Sequence, residues 1–141
     1  MDPRVDMRGI VTVLNTPFDG RGDLDLPALA RHVRYALEAG VDGFLVPAMA
    51  AEVTKLSYGE RRRALEAVLS TVAGSRPVVA GVYADDADAR LDLVRDYVSL
   101  GAQAVLVSIP LESADKLVAA VAEVASAGPE RWNITGKPAP H

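Results

Sequence analysis

Four glycines recur along the chain, and their spacing constrains the fold more than any other feature of the sequence. Gly40, Gly74, Gly101 and Gly128 lie 34, 27 and 27 residues apart. Each one closes a segment whose apolar residues follow a helical period. Glycine ends helices readily because it adopts the left-handed conformation without a Cβ clash. Each interval holds one strand and one helix, so the pattern predicts an internal βα repeat.

A short run of aliphatic and β-branched residues opens each repeat. The runs are 10–14, 43–47, 78–82 and 104–109. Continuous apolar runs of this length are typical of parallel strands that are buried on both faces. Right-handed crossovers between them make the sheet parallel. The sequence therefore predicts an α/β domain of four βα units over residues 9–128, with a flexible N-terminus at 1–8 and an irregular tail at 129–141.

Residues with short polar side chains precede the predicted helices. Ser57 and Glu60 fit a capping box, in which the Ser57 hydroxyl accepts from the Glu60 amide and the Glu60 carboxylate accepts from the Ser57 amide. The other expected N-caps are Asp25, either Asp85 or Asp86, and Ser113. These signals predict where each helix begins.

Charge and composition exclude several classes of function. The net charge of −4 gives no electrostatic basis for binding nucleic acid or an anionic membrane. No apolar run is long enough to span a membrane. The chain has no cysteine, and its two histidines, His32 and His141, have no partners at metal-site or triad spacing. We therefore expect a cytoplasmic protein with no metal and no cofactor.

The stretch 40–61 resembles the dihydrodipicolinate synthase/N-acetylneuraminate lyase family of Schiff-base aldolases. That family reads G-V-D-G, a hydrophobic run, G-T-T-G-E and then L-S-x-x-E-R, with a T-P-F sequence after its first strand. The matching residues here are GVDG at 40–43, Glu52, Leu56, Ser57, Glu60, Arg61 and Thr16-Pro17-Phe18. The resemblance covers about residues 9–128, the first four of the family's eight units. It implies an α/β fold that is a parallel (βα)4 half of a TIM-type barrel.

The residues that carry the family's chemistry differ in this chain. The family's G-T-T-G loop holds the carboxylate of a 2-oxo acid, and the corresponding sequence here is Ala-Met-Ala-Ala at 48–51. The family's Schiff-base lysine ends a sixth strand, which lies beyond the resemblance. Its tyrosine after the fourth strand is replaced by Leu111. The resemblance therefore implies an aldolase-type lyase lineage whose catalytic lysine and tyrosine are absent here.

Candidate substrate-binding residues follow the predicted strands, where barrel ligands bind. They are Thr16, Ala50, Ala51, Glu52 and Ser108. The backbone amides of Ala50 and Ala51 are expected to donate to a carboxylate, because main-chain donors do not depend on the side chain. No catalytic residue is predicted. Lys55 lies in the same loop region, but a solvated surface lysine is the simpler interpretation. Glu112 is a possible base or a surface glutamate. Arg61, Arg62 and Arg63 could contact a phosphate at the start of their helix, but a solvated helix face is the simpler interpretation.

Two functions remain open from the sequence. The first is the N-terminal half of a pyruvate-type lyase or synthase, inactive as this chain alone, with a small 2-oxo acid as its ligand. The second is a non-catalytic half-barrel subunit or interaction module. Four parallel strands leave two open edges, which template association. We therefore expect a homo-oligomer or a complementary half-barrel as partner.

Overall fold

The computed structural model describes residues 7–128, and in them strands and helices alternate as the glycine spacing predicts. The strands are β1 (Val11–Val13), β2 (Gly43–Val46), β3 (Val78–Val82) and β4 (Ala104–Val107). The helices are α1 (Leu26–Ala39), α2 (Tyr58–Val72), α3 (Ala87–Leu100) and α4 (Ala114–Ala127). The βα repeat is confirmed. The tail predicted at 129–141 and most of the N-terminus predicted at 1–8 lie outside the described residues.

The strands form one parallel sheet in the order β1-β2-β3-β4. Neighbouring strands pair in register, so that Val13 lies beside Leu45, Leu45 beside Val79 and Val79 beside Ala104. Sequential parallel order is the order of strands in the wall of a βα barrel. Within residues 7–128, β1 and β4 each have a partner on one side only. In this part of the chain the sheet therefore has two open edges.

The hydrophobic core lies between the helices and one face of the sheet. Phe44, Val78 and Val82 point to that face and are completely or almost completely buried. They pack in one cluster with helix residues such as Leu65 and Val94. Each such side chain contributes roughly 1.5–3 kcal/mol when it is removed from water. This packing holds the helices on the outer side of the sheet.

All the predicted N-caps accept hydrogen bonds from backbone amides. The Asp25 carboxylate accepts from the Ala28 amide at 2.9 Å. Both hydrogen bonds of the Ser57–Glu60 capping box form, at 3.1 and 2.9 Å. The remaining caps are Asp86, which resolves the choice between Asp85 and Asp86, and Ser113. These local predictions are confirmed.

Two of the four helix-ending glycines differ from expectation. Gly40 and Gly101 are left-handed caps, with φ of 86° and 110°. The position predicted for the cap at Gly74 is one residue too late: Ala73 takes the left-handed cap position with φ 51°, and Gly74 after it is also left-handed, with φ 77°. Gly128 follows α4 but is extended, with φ −101°. A proline follows it in the sequence, and the residue before a proline is pushed toward extended conformations.

Two further findings bear on function. No helix within residues 7–128 is long and apolar enough to cross a membrane. In the same part of the chain, no group of three or more His, Cys, Asp or Glu side chains is placed to hold a metal ion.

Candidate functional site

The segment after β2 forms two short 3-10 turns, Met49–Ala51 and Val53–Lys55, at the carboxyl end of the sheet. Glu52 joins them in the left-handed conformation, with φ 54°. The Ala51 amide donates to the Ala48 carbonyl at 2.9 Å, which closes the first turn. The Ala51 amide was expected to be free to bind a ligand. That expectation is wrong, because the amide already donates to a carbonyl within the short turn.

Thr16 ties the loop after β1 to the loop after β2. Its hydroxyl donates to the Ala51 carbonyl at 2.8 Å, across 35 residues of sequence. A hydrogen bond of this kind contributes about 1 kcal/mol net. The hydroxyl proton of Thr16 is therefore used in the hydrogen bond that holds the two loops together.

An open cleft of about 690 Å³ lies at this end of the sheet, between the loops after β2, β3 and β4 and the start of α2. Its polar lining includes Tyr58, Arg61, Asp85 and Ser108. Parallel strands bring their carboxyl ends to one edge of the sheet, where ligands of α/β proteins bind. The cleft therefore occupies the expected position for a small-molecule site.

Arg61 supplies the positive charge of the cleft and also builds its wall. Its residue exposure is only 7%. The guanidinium donates from Nε to the Leu56 carbonyl at 3.1 Å and from Nη1 to the Tyr83 carbonyl at 2.6 Å. Its Cζ lies 4.9 Å from the centre of the Tyr58 ring, within cation–π range. No carboxylate within residues 7–128 forms an ion pair with Arg61. The positive charge of Arg61 therefore lies at a cleft whose lining also includes the Asp85 carboxylate.

Tyr97 on α3 has a buried hydroxyl, and Arg61 and Tyr58 are close enough to act on it electrostatically. That hydroxyl has no hydrogen-bond partner among the described residues. Burial raises the pKa of Tyr97 from 10.0 to about 12, against an opposing effect of the Arg61 charge. The neutral phenol is therefore strongly favoured in the folded state.

We expect Tyr97→Phe to stabilise the fold by about 1 kcal/mol at pH 7, because it removes an unsatisfied buried hydroxyl. The pKa is higher in the folded than in the unfolded state, so the stability linked to Tyr97 is complete below pH 10 and falls as the pH rises toward 12. Urea unfolding at pH 8 and pH 11 measures both effects. Tyr35→Phe, at an exposed position, is the matched control. Identical pH slopes in wild type and Tyr97→Phe would contradict the assignment.

The sequence-predicted residues are only partly brought together at the cleft. Ser108 lines it, whereas Thr16, Ala50, Ala51 and Glu52 are not among its lining residues. Glu52 lies 3.2 Å from the Lys55 ammonium, and both side chains are more than half exposed. A Schiff-base lysine needs the opposite environment, an apolar pocket that favours the neutral amine.

Glu112 is paired with Lys116 at 2.5 Å and is exposed. The hydrogen bond from Lys116 lowers the pKa of Glu112. A carboxylate held ionised in this way is poorly suited to act as a base near neutral pH.

Sequence reasoning assigned Arg61 to a solvated helix face, and this is wrong. Arg61, Leu65, Val68 and Val72 recur at helical spacing, and all four are buried. The apolar stripe of α2 could therefore have singled out Arg61. Nothing local indicates Tyr83, because its carbonyl meets Arg61 across 22 residues of sequence.

The alternating strands and helices, the sequential parallel sheet and the cleft at the strand ends define the N-terminal part of a TIM-type barrel enzyme fold. The chain belongs to the dihydrodipicolinate synthetase family, whose sequence pattern matches residues 6–112. The resemblance drawn from the motifs at 40–61 is confirmed.

Curated relatives and solved structures agree on this family. The 4-hydroxy-tetrahydrodipicolinate synthase of Synechococcus sp. (strain CC9902) is 34% identical over 139 residues, covering 94% of this chain and 46% of the relative. That of Thermotoga neapolitana is 37% identical over 103 residues, covering 73% and 35%. The dihydrodipicolinate synthase structure from Thermotoga maritima superposes with a TM-score of 0.79 at 32% identity, covering 84% of this chain and 41% of that one. The chain thus spans less than half the length of these proteins.

Proposed function

We propose that the chain supplies the N-terminal half of a Schiff-base-forming 2-oxo-acid lyase or synthase and is inactive by itself. Family membership supports the reaction class, since the relatives named above are 4-hydroxy-tetrahydrodipicolinate synthases. The observation that supports the inactivity is the environment of Lys55, the lysine in the loop after β2, which is exposed and paired with Glu52. The lysine that attacks the oxo acid must therefore come from another half of the barrel.

In this proposal the four units at 9–128 act as one half-barrel that helps to hold the carboxylate of the oxo acid. Met49 and Ala50 lack the hydroxyls of the family's threonine pair, and the Ala51 amide donates within its own turn, so the remaining donors are the Ala50 amide and the Ser108 hydroxyl. The charge of Arg61 supplements them. Thr16 and Ala51 act indirectly by holding the loop together.

Treatment of the purified 141-residue chain with pyruvate and borohydride is expected to leave its intact mass unchanged. A Schiff base forms when a neutral amine attacks the carbonyl and water leaves, and borohydride then reduces the C=N bond to a stable amine. The exposed, ion-paired Lys55 is not activated for that attack. A full-length relative treated alongside is the positive control. A stoichiometric adduct that disappears in Lys55→Ala would refute the inactivity.

A second candidate function is a non-catalytic half-barrel subunit. The observation that favours it is an apolar, partly exposed sheet face, which includes Val13 and Leu106.

A further inference from the structure

The loop after β2 presents an exposed methionine to the cleft. Met49 lines the cleft and is 61% exposed, whereas its neighbours Ala48 and Ala51 are buried. Leu111, in the loop after β4, is 58% exposed and follows Pro110, which also lines the cleft. These are the positions at which the family pattern has a threonine and a tyrosine. Two positions that are polar in the family pattern are therefore apolar here and open to a ligand.

The main-chain donor proposed for the oxo acid is next to Met49 in the sequence. The Ala51 amide is used within its own turn, whereas the Ala50 amide has no acceptor among residues 7–128. The Ser108 hydroxyl lines the cleft and forms no hydrogen bond within the same part of the chain. Neighbouring Cα atoms are only about 3.8 Å apart, and the methionine side chain has three rotatable bonds. An acid whose carboxylate accepts from the Ala50 amide therefore has its alkyl chain within reach of the Met49 thioether.

The charges of the cleft do not distinguish one 2-oxo acid from another. Arg61 and Asp85 are the ionised side chains among its lining residues, one of each sign. Pyruvate, 2-oxobutyrate and 2-oxovalerate carry the same carboxylate and the same oxo group, so any electrostatic attraction is equal for the three. Apolar contact is therefore the interaction that can recognise the length of the alkyl chain.

We propose that Met49 selects a 2-oxo acid whose alkyl chain is longer than the methyl group of pyruvate. This selectivity rests on the proposed function, in which the chain helps to hold the carboxylate of an oxo acid. Moving one methylene from water into full apolar contact is worth roughly fourfold in affinity. Methionine adapts to chains of different length because its side chain is unbranched and polarizable. Threonine offers one methyl group beside a hydroxyl, so it gains less from each added methylene.

Amide NMR titrations of the 141-residue chain with pyruvate, 2-oxobutyrate and 2-oxovalerate measure the selectivity. 2-Oxovalerate has two more methylenes than pyruvate and is expected to bind at least about fivefold more tightly, since an open cleft covers them only in part. Met49→Thr should reduce that ratio to about twofold or less without weakening pyruvate, because only the thioether contact is lost. Val118→Thr, at an exposed position on α4, is the matched control and should keep the wild-type ratio.

A transferred nuclear Overhauser effect tests the contact directly. With methyl-labelled methionine, the terminal methyl group of 2-oxovalerate should show an effect to the Met49 methyl group, and this signal should vanish in Met49→Thr. Circular dichroism checks that the variant is folded, and Met49→Ala replaces it if it is not. A variant that merely disturbs the loop would weaken all three acids together, and that result would count against selection by Met49.

Three results would overturn the selectivity and leave the proposed function standing. They are equal affinities for the three acids, a ratio that is unchanged in folded Met49→Thr, and binding of 2-oxovalerate without the effect at the Met49 methyl group. Absence of binding by all three acids would instead contradict the proposed function and this inference together.

Discussion

Gly81→Ala is expected to destabilise the chain by at least about 3 kcal/mol, the upper part of the range for overpacking a well-filled site. Gly81 is buried within β3, where an added Cβ would lie 1.8 Å from the Pro47 carbonyl oxygen and 3.0 Å from a ring carbon of Tyr83. The first contact is with backbone, so no side-chain rotation relieves it. Either β3 or the segment after β2 must move. A domain of this size has a total stability of roughly 5–15 kcal/mol, so the loss is a large fraction of it.

Gly59→Ala is the matched control for this substitution. A Cβ at Gly59 would meet only the Ser57 hydroxyl oxygen, at 3.9 Å, and the position lies in the first turn of α2. Alanine favours helix over glycine by up to about 1 kcal/mol, so this variant should be neutral or slightly more stable. Urea unfolding of both variants gives the comparison. Equal midpoints would show that β3 does not pack against Pro47 as described.

Arg61→Met is expected to cost about 2–3 kcal/mol of stability and to disorganise the cleft. Methionine preserves much of the apolar stem of the arginine side chain. The loss of stability therefore measures the contribution of the guanidinium group. Without it the carbonyls of Leu56 and Tyr83 lose their donors, and an unsatisfied buried acceptor costs about 1–3 kcal/mol. Urea unfolding measures this cost. Arg63→Met, at an exposed position on the same helix, is the control and should change stability by less than about 0.5 kcal/mol.

The same pair of variants tests the role of the cleft in ligand binding. Amide NMR shifts during a pyruvate titration should cluster around Ala50, Glu52 and Ser108 in the wild type. They should weaken in Arg61→Met, which removes the cation and disorganises the cleft. Arg63→Met should reproduce the wild-type shifts. Shifts that cluster instead near Gly40 and Gly101, at the opposite end of the sheet, would contradict a site at the strand ends. Unchanged shifts in a folded Arg61→Met would remove Arg61 from the proposed site.

Most of the local structure could be predicted from sequence because its determinants are close together along the chain. The side chains of the N-caps Asp25 and Ser113 accept hydrogen bonds from backbone amides three residues later in the sequence. The two residues of the Ser57–Glu60 capping box are also three residues apart. The exceptions are also local. Ala73 takes the left-handed cap position expected of Gly74, although an alanine there carries the steric penalty of its Cβ that glycine avoids. The Ala51 amide was expected to be free, but a 3-10 turn places it three residues from a carbonyl acceptor.

The sequence by itself determined the order of strands and helices, the start of each helix and membership in the dihydrodipicolinate synthetase family. Only the tertiary structure decided which polar groups meet at the strand ends. The Thr16 hydroxyl donates to the Ala51 carbonyl, 35 residues away in sequence. The Arg61 guanidinium donates to the Tyr83 carbonyl, 22 residues away. Such pairs depend on strand register and on how α2 packs against the sheet, which no local pattern specifies. The helical spacing of Arg61 with Leu65 and Val68 fits the buried face of α2, although the residue was predicted to be solvated. The carbonyls of Leu56 and Tyr83 that accept its hydrogen bonds come from the loops after β2 and β3, and only the tertiary structure brings them together.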